Sequence, residues 1–222
     1  MKALIGHTGL IGTQLKQSIT FDKLYDSSNI ATIAGQSFDE VYCAAPSSNR
    51  ILANQNPEAD LDNIINLINH IKSADVKKII LISTVDTQVK DTAYAINRRF
   101  LETSLHDPVI IRLPTLVSNN ITKNILYDLK HGQYIDSINI DDVYQWYPLD
   151  NLAKDLKYIS DNNIKEINFV SEPICNLEII QTFYPQYADQ VKKTKINHYD
   201  LKPYYYTAKE MFVEFERYCH GN

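Results

Sequence analysis

The sequence has few of the features that mark secreted, membrane or nucleic-acid-binding proteins. Three cysteines, an odd number at scattered positions among 222 residues, indicate reduced thiols and neither a disulfide framework nor a metal site. The sequence has no apolar run of roughly 18 residues for a membrane span, and no apolar leader segment. The net charge of -5 disfavours a general nucleic-acid binder. We therefore expect a cytoplasmic protein with no membrane, nucleic-acid or metal partner.

Glycine is also scarce, and its distribution is informative. Three of the six glycines stand at positions 6, 9 and 12, after a strand pattern at Lys2–Ile5 and before a helical pattern at Ile11–Ser18. Such glycines allow a tight turn, close approach of a pyrophosphate, and close packing of the helix on the strand, while the helix N-terminus offers amide donors. The alternative is a glycine-rich turn without a ligand. We expect NAD or NADP to bind at this turn, through Gly6, Thr8, Gly9, Leu10, Ile11 and Gly12.

Strand and helix patterns alternate along the first half of the chain. The apolar runs predict further strands at Lys23–Asp26, Glu40–Ala44, Lys78–Ile82 and Val109–Leu113. Helical spacing appears at Pro57–Ser73 and Tyr94–Ser104, whereas the residues between Asp26 and Glu40 leave room only for a turn or a very short helix. This alternation predicts an α/β fold with a Rossmann-type, doubly wound parallel sheet.

After Pro114 the alternation becomes less regular. We predict one strand there, at Glu166–Val170, and a final helix that begins with a capping box at Thr207 and Glu210. We expect a single domain over residues 1–222, in which residues from about 133 to 222 add a small α/β lobe on the substrate side. The other predicted helices of this half are Ile121–His131, Leu149–Ser160 with Asp150 as a candidate cap, and Asn176–Phe183.

Asp26 follows Gly6 by twenty residues, at the end of the second predicted strand. A carboxylate at this point takes the hydroxyls of the adenosine ribose, and it favours NAD over NADP because it repels a 2′-phosphate. Two alternatives remain open. The polar side chains of Ser27, Ser28 and Asn29 could bind a phosphate, or Asp26 could simply cap a turn.

The spacing Gly-x-x-Gly-x-x-Gly is that of short-chain dehydrogenases, and further motifs follow it in a familiar order. With these motifs the sequence resembles the extended branch of that group, the NAD-dependent epimerase/dehydratase family acting on sugar nucleotides. The resemblance covers most of residues 1–155. The matching segments are Ala44-Ala45-Pro46, Ile82-Ser83-Thr84, Tyr94-x-x-x-Arg98, Arg112-Leu113-Pro114 and Gln145–Ala153.

The resemblance implies a role for each matching residue. Tyr94 would be the acid/base, and the hydroxyl of Thr84, or alternatively that of Ser83, would polarise the same substrate oxygen. Arg98 would bind the cofactor ribose, one helical turn beyond Tyr94 and on the same helix face. The resemblance also implies cofactor contacts from Ala44, Ala45, Pro46, Ser83, Tyr94, Arg98 and Pro114, and substrate contacts from Thr84, Asn124 and Trp146.

The sequence departs from the family pattern at two points. Position 98 is arginine where the family has lysine; arginine keeps the positive charge but cannot join a proton relay. Thr84 and Tyr94 are only ten positions apart, which makes a shorter loop than is usual in the family. We expect an NAD(P)-dependent oxidoreductase or epimerase for a nucleotide-linked sugar, in a chain that could form a homodimer. The alternatives are a non-catalytic NAD(P)-binding sensor of the same fold, and a scaffold subunit that has lost the nucleotide.

Overall fold

A computed structural model describes residues 1–194 and 198–221. These residues form two compact units. The first unit comprises Met1–Arg112 and Asn151–Ile167, and the second comprises Leu113–Asp150 and the described residues from Asn168 onward. The expectation of one domain with a small lobe from about residue 133 stays a prediction.

Most strands are short, and the helices range from one to about four turns. The strands are β1 (Lys2–Ile5), β2 (Lys23–Tyr25), β3 (Ser37–Phe38), β4 (Glu40–Cys43), β5 (Asp75–Val76), β6 (Ile79–Thr84), β7 (Val109–Leu113), β8 (Thr115–Val117), β9 (Val143–Tyr144), β10 (Trp146–Pro148), β11 (Glu166–Asn168), β12 (Val170–Ser171), β13 (Ile174–Cys175) and β14 (Tyr204–Tyr206). The helices are α1 (Leu10–Ser18), α2 (Arg50–Gln55), α3 (Pro57–Lys72), α4 (Asp86–Val89), α5 (Ala93–Ser104), α6 (Ile125–His131), α7 (Leu152–Asp161), α8 (Asn176–Phe183) and α9 (Ala208–His220).

The main sheet has six parallel strands in the order β11-β7-β6-β4-β1-β2, which confirms the predicted Rossmann-type α/β fold. From β1 the chain first adds β2 on one side and then crosses to add β4 on the other. The strand order therefore reverses at β1, and the register pairs Ile5 at its end with Cys43 at the end of β4. In open α/β sheets, ligands bind outside the carboxyl ends of the strands at such a reversal. The loops after β1 and β4 meet at this point.

The core of the first unit explains why these runs of residues are strands. Ala3 and Ile5 of β1, Val41 of β4 and Leu81 of β6 are buried in one apolar cluster. Helix α3 adds residues with helical spacing to this cluster, namely Ile64, Leu67, Ile68 and Ile71. The continuous apolar run predicted as a central strand is fully buried in β6, because both faces of a central parallel strand are covered.

Several element boundaries differ from the prediction. Helix α2 was not predicted from the sequence. The helix predicted from Ile121 begins at Ile125, because Asn124 caps it by accepting a hydrogen bond from the Tyr127 amide at 3.1 Å. A 3-10 turn at Leu149–Asn151 precedes α7, and Asp150 is not its cap. The strand predicted at Glu166–Val170 divides into β11 and β12. The short link between β2 and β4 is confirmed, since it holds only a 3-10 turn at Ile30–Ile33 and β3.

The second unit contains three two-stranded sheets, β10-β8, β12-β14 and β13-β9. Its core includes Trp146 of β10, whose ring meets that of Phe215 on α9 edge to face, with centroids 4.8 Å apart. The predicted capping box is confirmed, since Thr207 and Glu210 bond to each other's backbone at the start of α9. No helix in residues 1–194 and 198–221 is both long and apolar enough to cross a membrane.

Candidate functional site

Two glycines of the turn after β1 are required by backbone packing. Gly6 has a φ of +85°, and a Cβ there would lie 2.9 Å from the carbonyl carbon and oxygen of Ala44. A Cβ on Gly12 would lie 2.1 Å from the carbonyl oxygen of Gly6, far inside contact distance. The turn is therefore packed tightly against helix α1 on one side and against the end of β4 on the other.

Gly9 differs from the other two glycines because the space in front of it is open. A Cβ there would meet only the Gly6 carbonyl oxygen, at 3.6 Å. Gly9 is exposed and is the N-cap of α1, which has no side-chain cap. The first-turn amides of α1, those of Leu10 and Ile11 among them, have no partner within the helix and suit an anion. A pyrophosphate fits this arrangement. Thr8, the residue before Gly9, is exposed.

Asp26 directly follows β2, and the two oxygens of its carboxylate have different partners. Its Oδ1 accepts hydrogen bonds from the Ser28 amide at 2.9 Å and the Ser28 hydroxyl at 2.6 Å. Its Oδ2 lies 3.3 Å from Nε2 of His7 in the glycine turn. The two hydrogen bonds from Ser28 lower the pKa of Asp26 below its ordinary value. Asp26 thus caps its own turn and also presents an ionised oxygen toward the glycine turn.

The polar residues after Asp26 are mostly engaged. The Ser28 hydroxyl is bound to Asp26, and Asn29 accepts from the Asp26 amide at 2.8 Å and donates to the Leu24 carbonyl at 3.0 Å. Ser27 is exposed in the turn. Of the three polar side chains considered as phosphate ligands, two already have partners within this turn and its strand.

The loop after β4 lies against the glycine turn. The Ala44 amide donates to the Ile5 carbonyl at 2.9 Å, and the Ala45–Pro46 peptide bond is cis. Cys43, just before this loop, is completely buried, and burial raises the pKa of its thiol to about 11. A buried thiol of this kind is a core residue, as its place within a strand predicts.

Tyr94 lies near the start of α5, and two arginines lie close to its ring. Its ring is only 5% exposed. The guanidinium carbon of Arg98 lies 4.4 Å from the ring centroid, and that of Arg50, on α2, lies 5.8 Å from it. The Tyr94 amide donates to the side chain of Asn54 on α2 at 2.9 Å, so α2 holds the start of α5 in place. Both guanidinium groups are within the distance at which a cation is attracted to an aromatic face.

Both terminal nitrogens of Arg98 donate hydrogen bonds to protein groups. Asp60 on α3 accepts from its two terminal nitrogens at 2.8 and 3.0 Å, and the Ser47 carbonyl accepts at 2.6 Å. Asn97 also donates to Asp60, at 2.9 Å. The side chain of Arg98 is 4% exposed. The positive charge at position 98 therefore faces Tyr94 but is fixed by Asp60, and a contact of Arg98 with a cofactor ribose stays a prediction.

The two candidate hydroxyls at the end of β6 have different surroundings. Thr84 Oγ1 accepts a hydrogen bond from the Asp86 amide at 3.2 Å, which leaves its own hydrogen for another acceptor. The Ser83 hydroxyl instead donates to Glu102 at 2.5 Å. Glu102 is part of a buried ion pair with Arg112, whose Nη2 lies 2.6 Å from it. Of the two hydroxyls, that of Thr84 still has its hydrogen to donate, and contact of either hydroxyl with a substrate stays a prediction.

Sequence reasoning missed a charged cluster beside Tyr94. Asp86, at the start of α4, has a side chain that is only 2% exposed, and Oδ2 lies 2.8 Å from Nε of Arg50. Its other oxygen lies 3.2 Å from Nζ of Lys90. Only the position of Asp86 close after Thr84 was a signal in the sequence. Arg50 has no such signal, because its partners lie more than thirty residues away along the chain.

The predicted site residues of the second unit are Asn124, Trp146 and Pro114. Asn124 donates to the Leu116 carbonyl at 2.8 Å in addition to capping α6. Trp146 is completely buried, and Pro114 is buried between β7 and β8. Binding of a ligand by these three residues stays a prediction. In the part of the chain that the structure describes, no group of three or more His, Cys, Asp or Glu side chains could hold a metal ion.

Comparison with known proteins finds similarity in structure only. No family model and no curated protein matches the sequence. A hypothetical dTDP-4-dehydrorhamnose reductase from Sulfolobus tokodaii is 18% identical, covering 96% of this chain and 93% of that one, with a TM-score of 0.66. A UDP-glucuronic acid 4-epimerase from Bacillus cereus, in complex with a fluorinated UDP-glucuronic acid and NAD, is 14% identical, covering 100% and 99%, with a TM-score of 0.66.

A third similar structure is RMD from Pseudomonas aeruginosa complexed with NADPH. It is 12% identical, covering 97% of this chain and 92% of that one, with a TM-score of 0.65. These likenesses extend over nearly the whole chain, although few residues are identical. The chain therefore shares the fold of these three structures, which is the Rossmann-type α/β fold that the sequence predicts.

Proposed function

We propose that the protein binds a nicotinamide dinucleotide and acts as an oxidoreductase or epimerase on a nucleotide-linked sugar. The observation that carries this proposal is the glycine turn, which lies where the strand order reverses and is open only in front of Gly9. Backbone packing accounts for Gly6 and Gly12, but it does not require a glycine at position 9. A pyrophosphate in front of Gly9 would account for it.

The cofactor is proposed to be NAD in preference to NADP. Asp26 is ionised at neutral pH, since its hydrogen bonds from Ser28 lower its pKa. An ionised carboxylate favours the free hydroxyls of a ribose and repels a 2′-phosphate. The neighbouring side chains of Ser28 and Asn29 are already engaged, which removes most of the alternative phosphate ligands.

Tyr94 is proposed as the acid/base. The support for this role is the position of Tyr94 near the start of α5. The guanidinium carbons of Arg98 and Arg50 lie 4.4 and 5.8 Å from the centroid of its ring, and Arg98 stands where the family pattern has a lysine. Thr84 is proposed to donate a hydrogen bond to the substrate oxygen on which Tyr94 acts. When bound, the nicotinamide supplies the hydride acceptor or donor for the sugar carbon.

The test is to measure NADH and NADPH binding by calorimetry, and turnover of UDP- and dTDP-hexoses, in the wild type and in Tyr94→Phe. We expect NADH to bind more tightly than NADPH, and Tyr94→Phe to lower kcat by about 10²- to 10⁴-fold, the usual contribution of a positioned acid/base. NADH binding should be unchanged.

The matched control is Tyr42→Phe, which removes another buried tyrosine hydroxyl from the first unit. It should keep full turnover. Undiminished turnover in Tyr94→Phe would disprove the acid/base role, and failure of the wild type to bind either dinucleotide would disprove the proposed function.

The second candidate function is a sensor that binds NAD(P) without turnover. The observation that favours it is the binding of Arg98 by Asp60 and the Ser47 carbonyl, which engages both terminal nitrogens of the residue in the place of the family lysine. The same measurements separate the two functions. Saturable NADH binding with no hydride transfer to or from any nucleotide sugar would favour the sensor.

A further inference from the structure

The two arginines beside Tyr94 differ in what they can still bind. Arg98 is 4% exposed, and both of its terminal nitrogens already have acceptors. The side chain of Arg50 is 43% exposed. Its Nε is paired with Asp86, and its terminal nitrogens have no hydrogen-bond acceptor among residues 1–194 and 198–221. Arg50 is therefore the cation at Tyr94 that a ligand can reach.

Asp86 restrains the guanidinium of Arg50. A carboxylate as buried as that of Asp86 is costly without a partner, which favours the ion pair between Oδ2 and Nε, 2.8 Å apart. A guanidinium has five N–H groups in one rigid plane, and an acceptor at Nε leaves the end with the two terminal nitrogens available. Two N–H groups at that end can bind both oxygens of a carboxylate or phosphate as a fork.

We propose that Arg50 binds a carboxylate of the substrate beside Tyr94, and that the sugar is therefore a hexuronic acid. This inference rests on the proposed function, because it places the substrate at Tyr94. The other sources of an oxyanion are the cofactor and the diphosphate of the nucleotide sugar, and the experiment distinguishes the three sources.

The experiment measures binding by calorimetry with UDP-glucuronate and UDP-glucose as probes, at saturating NADH, and NADH binding separately. We expect the wild type to prefer UDP-glucuronate. In Arg50→Gln, the affinity for UDP-glucuronate should fall by about 10- to 100-fold, as expected for loss of charge-assisted hydrogen bonds. The affinities for UDP-glucose and NADH should stay within about twofold, since neither probe depends on the fork.

Lys90→Gln is the matched control. It removes the other cation from Asp86, so it costs similar stability, but Lys90 makes no recorded contact with Tyr94. It should keep the preference for UDP-glucuronate. Arg50→Lys retains the charge without the fork and should recover only part of the affinity.

Three results would overturn the inference. The first is an equal loss of affinity for both sugar nucleotides in Arg50→Gln. The second is a loss of affinity for NADH in place of that for UDP-glucuronate. The third is a wild type that binds both sugar nucleotides equally well. Failure of the proposed function has a different signature, namely a wild type that binds no dinucleotide or shows no dependence of turnover on Tyr94.

Discussion

Arg98 shows how much of a side chain's role depends on residues far along the chain. Its spacing of four from Tyr94 predicts that the two share one helix face, and the 4.4 Å contact of guanidinium and ring fits that prediction. The spacing carries no information about Asp60, which is 38 residues away and accepts from both terminal nitrogens of Arg98. The sequence thus predicts the local pair but not the partner that decides what the arginine can still bind.

Asp26 is the residue at which the choice of cofactor can be tested. Asp26→Asn removes the negative charge but keeps an Oδ1 that can accept from Ser28, so the turn is retained. We expect the affinity for NADPH relative to NADH to rise by about tenfold, which corresponds to about 1.4 kcal/mol. Calorimetric titration of both dinucleotides measures this ratio.

Asp22→Asn serves as its control, because Asp22 lies just before the opposite end of β2 and accepts from the Lys2 amide at 2.6 Å. The ratio of affinities should not change in that variant. An unchanged ratio in Asp26→Asn as well would remove Asp26 from the ribose site.

At the scale of elements, the sequence predicts best those segments whose signals are local. The strand-turn-helix unit from Lys2 to Ser18 and the capping box of α9 depend on neighbouring residues, and both are present. Helix α2 has only six residues, too few to be stable alone. Tertiary contacts such as that of Asn54 with the Tyr94 amide hold it, and these cannot be read from periodicity.

The glycine turn yields a paired prediction, because its glycines serve different purposes. Gly12→Ala places a Cβ 2.1 Å from a backbone oxygen and should lower the free energy of unfolding by more than about 2 kcal/mol, since the backbone must shift. Gly9→Ala places a Cβ in ordinary contact with one backbone oxygen, at 3.6 Å, and should cost no more than about 1 kcal/mol, the usual effect of a poorer N-cap. Gly9→Ala should nevertheless weaken NADH binding by at least about tenfold, because the methyl group would occupy the position proposed for the phosphate.

Urea unfolding and NADH titration of the two variants measure these effects. The prediction fails if Gly9→Ala binds NADH as tightly as the wild type, or if Gly12→Ala is as stable as the wild type.

For the whole molecule, the sequence predicts the class of sheet but not its strand order. The alternation of strands and helices indicates parallel pairing, because parallel strands need a crossover connection. In the sheet, β2 is an edge strand and β4 lies on the other side of β1. This order depends on contacts between residues far apart in the sequence, such as the pairing of Ile5 with Cys43. This order brings the loop of Ala44 against Gly6 and so completes the proposed cofactor site.

A bound dinucleotide should stabilise the folded protein, because an unfolded chain has no glycine turn to bind it. At about 100 times its Kd, a ligand adds about 2.7 kcal/mol to the free energy of unfolding. For a chain of this size, about 1 kcal/mol raises the melting temperature by roughly 2–4 °C, so NADH should raise the transition of the first unit by roughly 5–11 °C. In Gly9→Ala, a tenfold weaker affinity reduces the stabilisation by the same NADH concentration to about 1.4 kcal/mol. The rise in melting temperature should then be about half of that in the wild type. Differential scanning calorimetry measures both shifts, and equal shifts in the wild type and in Gly9→Ala would mean that NADH binds elsewhere than at the glycine turn.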